Sequence, residues 1–185
     1  MPAAERPVLY LIACGGRAAA HLVGFVELLR ARSWDVCVVA TPQAVKFMDL
    51  PALRAATGHV VRHEYKHPDE PDVLPPADVM VVAPATFNTV NKLALGISDT
   101  LALGLLNEAV GLGLPIVAVP TPNQALARHP AFVANLATLR SWGIRILFDP
   151  REHPLPAPAQ GAGATDLFPW AALAETIGEI RSTLA

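Results

Sequence analysis

Residues 77–103, which read ADVMVVAPATFNTVNKLALGISDTLAL, decide the fold. The apolar run at 79–83 is typical of a strand buried on both faces of a parallel sheet. A polar loop at 84–89 follows this run. A helix is predicted at 89–95, and a second polar turn follows it at 96–99. Ligands of open parallel sheets lie just beyond the carboxyl ends of the strands. The stretch therefore predicts a binding site.

Apolar strands alternate with amphipathic helices on both sides of this stretch. Further strands are predicted at 8–13, 35–40, 59–65 (a weaker strand, near an edge), 115–119 and 144–148. Further helices are predicted at 18–32, in a short segment starting at Thr41–Pro42, and at 99–110, 129–142 and 170–184. The alternation predicts an α/β fold with a doubly wound parallel sheet. Residues 1–185 are expected to form one domain, with a flexible Gly-, Pro- and Ala-rich loop at 149–169 and a terminal helix at 170–184.

Composition narrows the classes of function. The 185 residues are 52% hydrophobic and 16% charged, which favours a sizeable core and self-association. A net charge of -2 gives no electrostatic reason to expect a nucleic acid or an anionic membrane as partner. No window approaches the roughly 18 apolar residues that span a bilayer, and the first residues lack the pattern of a secretory signal. We therefore expect a cytoplasmic protein.

Two cysteines, Cys14 and Cys37, lie in or beside predicted buried strands. Small buried hydrophobic side chains are the expected interpretation of both. Their number and spacing match neither a disulfide framework nor a metal site, so no metal is expected.

The first loop, Cys14–Gly15–Gly16–Arg17, is a candidate phosphate cradle. Glycines let backbone amides approach an anion, and the arginine adds a forked set of donors. The third glycine of the dinucleotide motif GxGxxG is absent, so a tight turn with a solvated arginine is the alternative.

Four more polar residues follow predicted strands or precede helices. Thr41 could donate to the same phosphate or cap a helix, and Asp99 could likewise be a helix cap. Asn88 can donate and accept at once, which suits a carboxylate or a flavin edge. Among the histidines, only His67 lies on a loop expected to reach the strand-end cleft, and simple solvation is its alternative.

Three segments carry a resemblance to a known family. PATFNT at 84–89 resembles a PASANT motif, NKLALGISDTL at 91–101 resembles NKIAxGICDNL, and PTPN at 120–123 resembles PxMN. Over residues 8–149 the chain resembles the homo-oligomeric flavin-containing cysteine decarboxylases. That family includes phosphopantothenoylcysteine decarboxylase and the peptidyl-cysteine decarboxylases of lantibiotic biosynthesis.

The resemblance implies a flavodoxin-like, Rossmann-like fold with three α/β/α layers, assembled as a trimer or dodecamer with FMN at a subunit interface. On that basis, the FMN phosphate lies near Gly15, Gly16, Arg17 and Thr41. The ribityl chain and the isoalloxazine lie near Pro84, Ala85, Thr86, Asn88, Ser98 and Asp99. The catalytic residues are Asn88 and Asn123, which face the substrate carboxylate, and His67.

In the reaction that the resemblance implies, the flavin oxidises a cysteine side chain to a thioaldehyde, carbon dioxide leaves, and an enethiol remains. Two departures from the family pattern matter. The place of the family's catalytic histidine falls on Glu70, three residues after His67. A late cysteine with which the pantothenate enzyme reduces its enethiol is missing from PAQGAGATD at 158–166.

The expected function is therefore FMN-dependent oxidative decarboxylation of a C-terminal peptidyl cysteine in peptide natural-product biosynthesis. The substrate would be a peptide or a small molecule that contains cysteine. Two alternatives stay open, namely phosphopantothenoylcysteine decarboxylation in coenzyme A biosynthesis and a non-catalytic FMN-binding or regulatory subunit.

Overall fold

A five-stranded, all-parallel sheet forms the centre of the molecule in the computed structural model, which describes residues 6–67, 69–71, 73–159 and 168–184. The strands are β1 (Val8–Ala13), β2 (Asp35–Ala40), β3 (Val79–Ala85), β4 (Ile116–Pro120) and β5 (Arg145–Ile146). Their spatial order is β2-β1-β3-β4-β5. This is the flavodoxin-like doubly wound order, and it confirms the predicted fold class.

Helices cover both faces of the sheet. They are α1 (Leu22–Ala31), α2 (Leu50–Thr57), α3 (Phe87–Ala94), α4 (Leu101–Leu112), α5 (Gln124–Ala127), α6 (Pro130–Ser141) and α7 (Trp170–Thr183), with 3-10 turns at Arg17–His21 and Ala44–Phe47. One core cluster joins the sheet to α1, α2 and α7, and the other joins it to α3, α4 and α6. The three-layer arrangement follows from these two cores.

Successive residues along a strand point to opposite faces of the sheet and so pack into different core clusters. In β1, Leu9 and Leu11 belong to the first cluster, whereas Tyr10 and Ile12 belong to the second. Every residue of β3 is buried, which explains its continuous apolar run. Since β3 lies between β1 and β4, the motif that follows it leaves the middle of the sheet.

The predicted strand at 59–65 is wrong. Only Arg62 pairs with the sheet, through a single bridge to Val39 at the edge. Glu64 and Tyr65 are exposed, so the alternating pattern does not bury the last residues of the segment. His59 instead places its ring nitrogen Nε2 2.8 Å from an oxygen of Asp35.

Smaller corrections concern the ends of elements. The strand predicted at 144–148 contains only two residues, and Phe148, beyond its end, meets the ring of Phe132 edge-on. The helix predicted from residue 18 begins as a 3-10 turn, and the short helix expected after Thr41–Pro42 is also a 3-10 turn. Sequence reasoning missed α2, although Asp49 caps it by accepting from the amide of Ala52.

Part of the predicted loop at 149–169 can be placed. Residues 150–159 form turns and irregular backbone, and residues 160–167 lie outside the described part of the chain, where the expected flexibility stays a prediction. Among the described residues, no helix combines the length and the apolar character needed to cross a membrane.

Candidate functional site

Four loops meet at the carboxyl edge of the sheet. The amide of Cys14, just after β1, donates to the carbonyl of Pro84 at 3.1 Å. The amide of Thr41, after β2, donates to Ala13 at 2.8 Å, and that of Thr121, after β4, donates to Ala85 at 2.9 Å. Between β1 and β3 the connections diverge to opposite sides of the sheet, which is where doubly wound folds bind ligands.

A cavity of about 320 Å³ opens beside this edge. Its size falls within the range of about 300–1,000 Å³ that is usual for small-molecule sites. The walls come from the first loop, the loop after β4 and the segments on either side of the undescribed stretch 160–167. The described lining residues are Gly15, Gly16, Arg17, Ala18, Phe47, Pro120, Thr121, Pro122, His153, Pro154, Leu155, Pro156, Phe168 and Pro169.

The two glycines of the first loop leave their backbone open to this cavity. Gly16 has an extended backbone with φ of -178°, which any residue can adopt. A Cβ added there would meet Pro84 at 3.6 Å, an ordinary van der Waals distance. Neither the backbone conformation nor the local packing therefore requires glycine at this position. The absence of a side chain instead fits the close approach of an anionic ligand to the backbone.

Buried hydroxyls and a thiol join the first loop to the motif after β3. Thr86 caps α3 by accepting from the amide of Thr89, and the two hydroxyl oxygens lie 3.1 Å apart. The thiol of Cys14 donates to the hydroxyl of Thr89 at 3.2 Å. Burial raises the pKa of the Cys14 thiol, which keeps it protonated as a donor. This contact fixes the two loops relative to each other.

The second cysteine, Cys37, is also part of the buried sheet. Cys37 lies in the middle of β2, and burial raises its pKa to about 12. Both cysteines are buried, as predicted.

Asn88 and Asn123 both present amide groups near helix starts. Asn88 is exposed in the first turn of α3, and its side chain has no partner among the described residues. Asn123 caps α5, where its side-chain oxygen accepts from the amide of Leu126 at 2.9 Å. The side-chain nitrogen of Asn123 is then oriented as a donor. Neither asparagine occurs in the described lining of the cavity, so their contact with one ligand carboxylate stays a prediction.

Ser98 and Asp99 lie on the exposed connection between α3 and α4. The hydroxyl of Ser98 accepts from Asn107 at 2.8 Å, and Asp99 pairs with Lys92. The interpretation of Asp99 as a helix cap is wrong, because Thr100 caps α4 instead. Within the described lining of the cavity, neither Ser98 nor Asp99 occurs.

His67 occupies an exposed loop, with 68% of its side chain accessible. Its ring nitrogen Nδ1 accepts from the amide of Asp69 and lies 3.3 Å from that carboxylate. Like Ser98, it is absent from the described walls of the cavity. A role for His67 in this cavity would therefore require another copy of the chain or a movement of its loop.

His153, which sequence reasoning missed, also lines the cavity. Its amide donates to the carbonyl of Asp149 at 2.9 Å. Arg151 binds the Asp149 carboxylate through two nitrogens and lowers the pKa of Asp149 to about 2. The available signal was a histidine at the start of the Pro-rich segment.

The chain matches a known protein family. The model of that family, described as Flavoprotein, matches residues 3–181. The coenzyme A biosynthesis bifunctional protein CoaBC of Mycobacterium tuberculosis is 33% identical over 153 residues, which cover 80% of this chain and 36% of that protein. The phosphopantothenoylcysteine decarboxylase of Mus musculus is 30% identical over 152 residues, which cover 77% of this chain and 74% of the mouse protein.

The solved structure of the FMN-dependent cysteine decarboxylase SpaF superimposes with a TM-score of 0.66 at 28% identity. The match covers 78% of this chain and 85% of SpaF. The chain spans about a third of the length of the bifunctional CoaBC relatives that it matches.

Proposed function

Because this chain belongs to the Flavoprotein family, we propose that it binds FMN at the carboxyl edge of the sheet and decarboxylates a C-terminal cysteine of a peptide. The observation that carries the proposal is the cavity between the loops after β1 and β4, with the Gly15–Gly16–Arg17 loop in its wall. Flavodoxin, whose sheet has the same order 2-1-3-4-5, holds FMN at the switch point between β1 and β3, and the cavity shares the loop after β1 with that switch point. The fold and the loop chemistry therefore support the same cofactor.

The side chains at this edge fit a flavin nucleotide. The bare backbone at Gly15 and Gly16 and the guanidinium of Arg17 provide donors for a phosphate. Phe47, Pro120 and Pro122 give the same cavity apolar walls that exclude water. We propose that Thr41 supports the phosphate side and that 84–88 supports the ribityl chain and the ring.

A bound FMN would supply the two-electron acceptor for oxidation of the cysteine thiol to a thioaldehyde, from which the adjacent carboxylate would leave as carbon dioxide. The residues of this chain would orient the substrate. Asn88 and the side-chain nitrogen of Asn123 donate to the departing carboxylate, and His67 moves the proton at the substrate sulfur. We propose Ser98 and Asp99 as supports for the flavin from a neighbouring copy of the chain.

A peptide substrate is favoured by the positions of the cysteines. The only cysteines of the chain, Cys14 and Cys37, are buried in or beside β1 and β2. No thiol is therefore available to reduce an enethiol product, and the reaction stops at the aminoenethiol. The second candidate is phosphopantothenoylcysteine decarboxylation, which is favoured by the 30% identity to the mouse enzyme.

Self-association as a trimer or dodecamer belongs to the proposal. Large apolar side chains remain exposed at the end of α4 and directly after α3 in the single chain, among them Leu112 (68%) and Leu95 (67%). Exposed apolar surface of this kind favours burial against another copy.

Incubation with peptides that end in cysteine tests the proposed function. We expect mass spectrometry to show the loss of one carbon dioxide and two hydrogens from such a peptide in the presence of the FMN-loaded protein. The matched peptide that ends in serine should be unchanged, since it has no thiol to oxidise. Conversion of phosphopantothenoylcysteine alone would favour the second candidate, and no conversion of either would leave a non-catalytic flavin-binding protein.

Substitution of Asn88 tests the carboxylate contact. Asn88→Ala should lower kcat/KM by about 10- to 100-fold, because a hydrogen bond to a charged group contributes about 1.5–3 kcal/mol. Asn88→Asp should be worse, since it sets a second carboxylate against the first. An aspartate in the first turn of α3 favours the helix, so the thermal midpoint should not fall. If Asn88→Asp were as active as the wild type, Asn88 would have no contact with the substrate carboxylate.

A further inference from the structure

We propose that His153 is a binding residue for a phosphate monoester, which it holds in the cavity together with Arg17. Both side chains line the same cavity, and they reach it from segments that are far apart in sequence. The inference rests on the proposed function, because it concerns an anionic group bound at that site. Nothing in the sequence motifs points to this histidine.

A hydrogen-bonded turn fixes the position of His153. Its amide donates to the carbonyl of Asp149 at 2.9 Å. The carboxylate of Asp149 accepts from Nε and Nη2 of Arg151 at 3.1 and 2.7 Å and from the Arg151 amide at 2.9 Å. The turn therefore binds the Asp149 carboxylate internally, and neither Asp149 nor the exposed Glu152 occurs in the described lining of the cavity.

A second anchor follows immediately. The amide of Gln124 donates to the carbonyl of Pro156 at 2.9 Å, and its side-chain nitrogen donates to the carbonyl of Leu155 at 3.0 Å. Residues 153–156 are thus held at one end by the turn from Asp149 and at the other end by Gln124, the first residue of α5. His153 is part of a wall of the cavity and is not a side chain on a free loop.

The charges of the residues that line the cavity favour an anionic ligand. Among the described lining residues there is no Asp or Glu, and the side chains that can carry positive charge are Arg17 and His153. Pro154, Leu155 and Pro156 have apolar side chains, which leaves the imidazole as the side-chain donor of this segment. A phosphate monoester carries a charge of about -1.5 to -2 at neutral pH and accepts several charge-assisted hydrogen bonds.

The phosphate could belong to the flavin nucleotide or to a phosphorylated substrate. We would measure dissociation constants for FMN and for riboflavin by quenching of flavin fluorescence, since the two ligands differ only in the phosphate. His153→Ala should weaken FMN by about 10-fold or more and leave riboflavin unchanged. His153→Arg should restore much of the preference for FMN. The matched control is His63→Ala, which removes an exposed histidine remote from the described cavity wall and should change neither constant.

Each of the other outcomes decides between the role of His153, the source of the phosphate and the proposed function. If His153→Ala leaves FMN and riboflavin unchanged but weakens 4'-phosphopantothenoylcysteine relative to its dephosphorylated form, the bound phosphate belongs to the substrate. If none of these constants changes while the wild type binds FMN, the role of His153 is refuted and the proposed function stands. If the wild type binds no FMN, the proposed function itself fails.

Discussion

His67→Ala should lower the rate of cysteine decarboxylation by about 100-fold or more while the purified protein keeps its FMN. General acid–base catalysis by a positioned side chain contributes about 10²- to 10⁴-fold. The neighbouring Asp69 contacts the imidazole of His67 and can hold its orientation, although the loop is exposed. The measurements are turnover by mass spectrometry and flavin content after gel filtration. Unchanged turnover would remove His67 from the mechanism.

Mixing the two impaired variants, His67→Ala and Asn88→Ala, extends this test. Both residues are absent from the described cavity wall, and we propose that the active site takes His67 from one copy of the chain and Asn88 from another. Mixed oligomers would then contain some sites with both native residues, and turnover should rise above that of either variant alone. Mixtures without such a rise would place both residues in one chain. His63→Ala, on the same connection between α2 and β3, serves as the control that should retain full turnover.

The central strands could be predicted because burial on both faces leaves a strong pattern. β1, β2 and β3 carry continuous apolar runs, and their predicted starts agree with the structure. The edges could not be predicted in the same way. Residues 59–65 have the alternation of a strand, yet only Arg62 finds a partner, because pairing there depends on tertiary contacts that the pattern does not contain.

The candidate site likewise has one part that could be predicted from the sequence and one part that could not. The first loop could be predicted to lie near the motif after β3, since both follow strands of one parallel sheet, and the bond from Cys14 to Pro84 joins them. The opposite wall could not be predicted. His153 reaches the cavity from a segment that Gln124 binds, and nothing in either local sequence signals that contact.

Phe132→Ala should destabilise the protein by about 3–5 kcal/mol, the usual range for a buried phenylalanine. Phe132 is fully buried on α6 beneath the motif helix α3. Its ring stacks on that of Phe87 with centroids 5.5 Å apart and meets Phe148 edge-on at 5.8 Å. At about 2–4 °C per kcal/mol for a chain of this length, the thermal midpoint of the FMN-free protein should fall by roughly 6–20 °C.

Val133→Ala is the matched control, because this neighbour on the same helix is 56% exposed. Its midpoint should stay within a few degrees of the wild type. Phe87 directly precedes Asn88, so the loss of the stacked ring should also loosen the first turn of α3 and weaken FMN binding. A Phe132→Ala variant with the midpoint of Val133→Ala would show that α6 does not support the motif. A lower midpoint with unchanged FMN affinity would show that the core and the binding site are energetically separate.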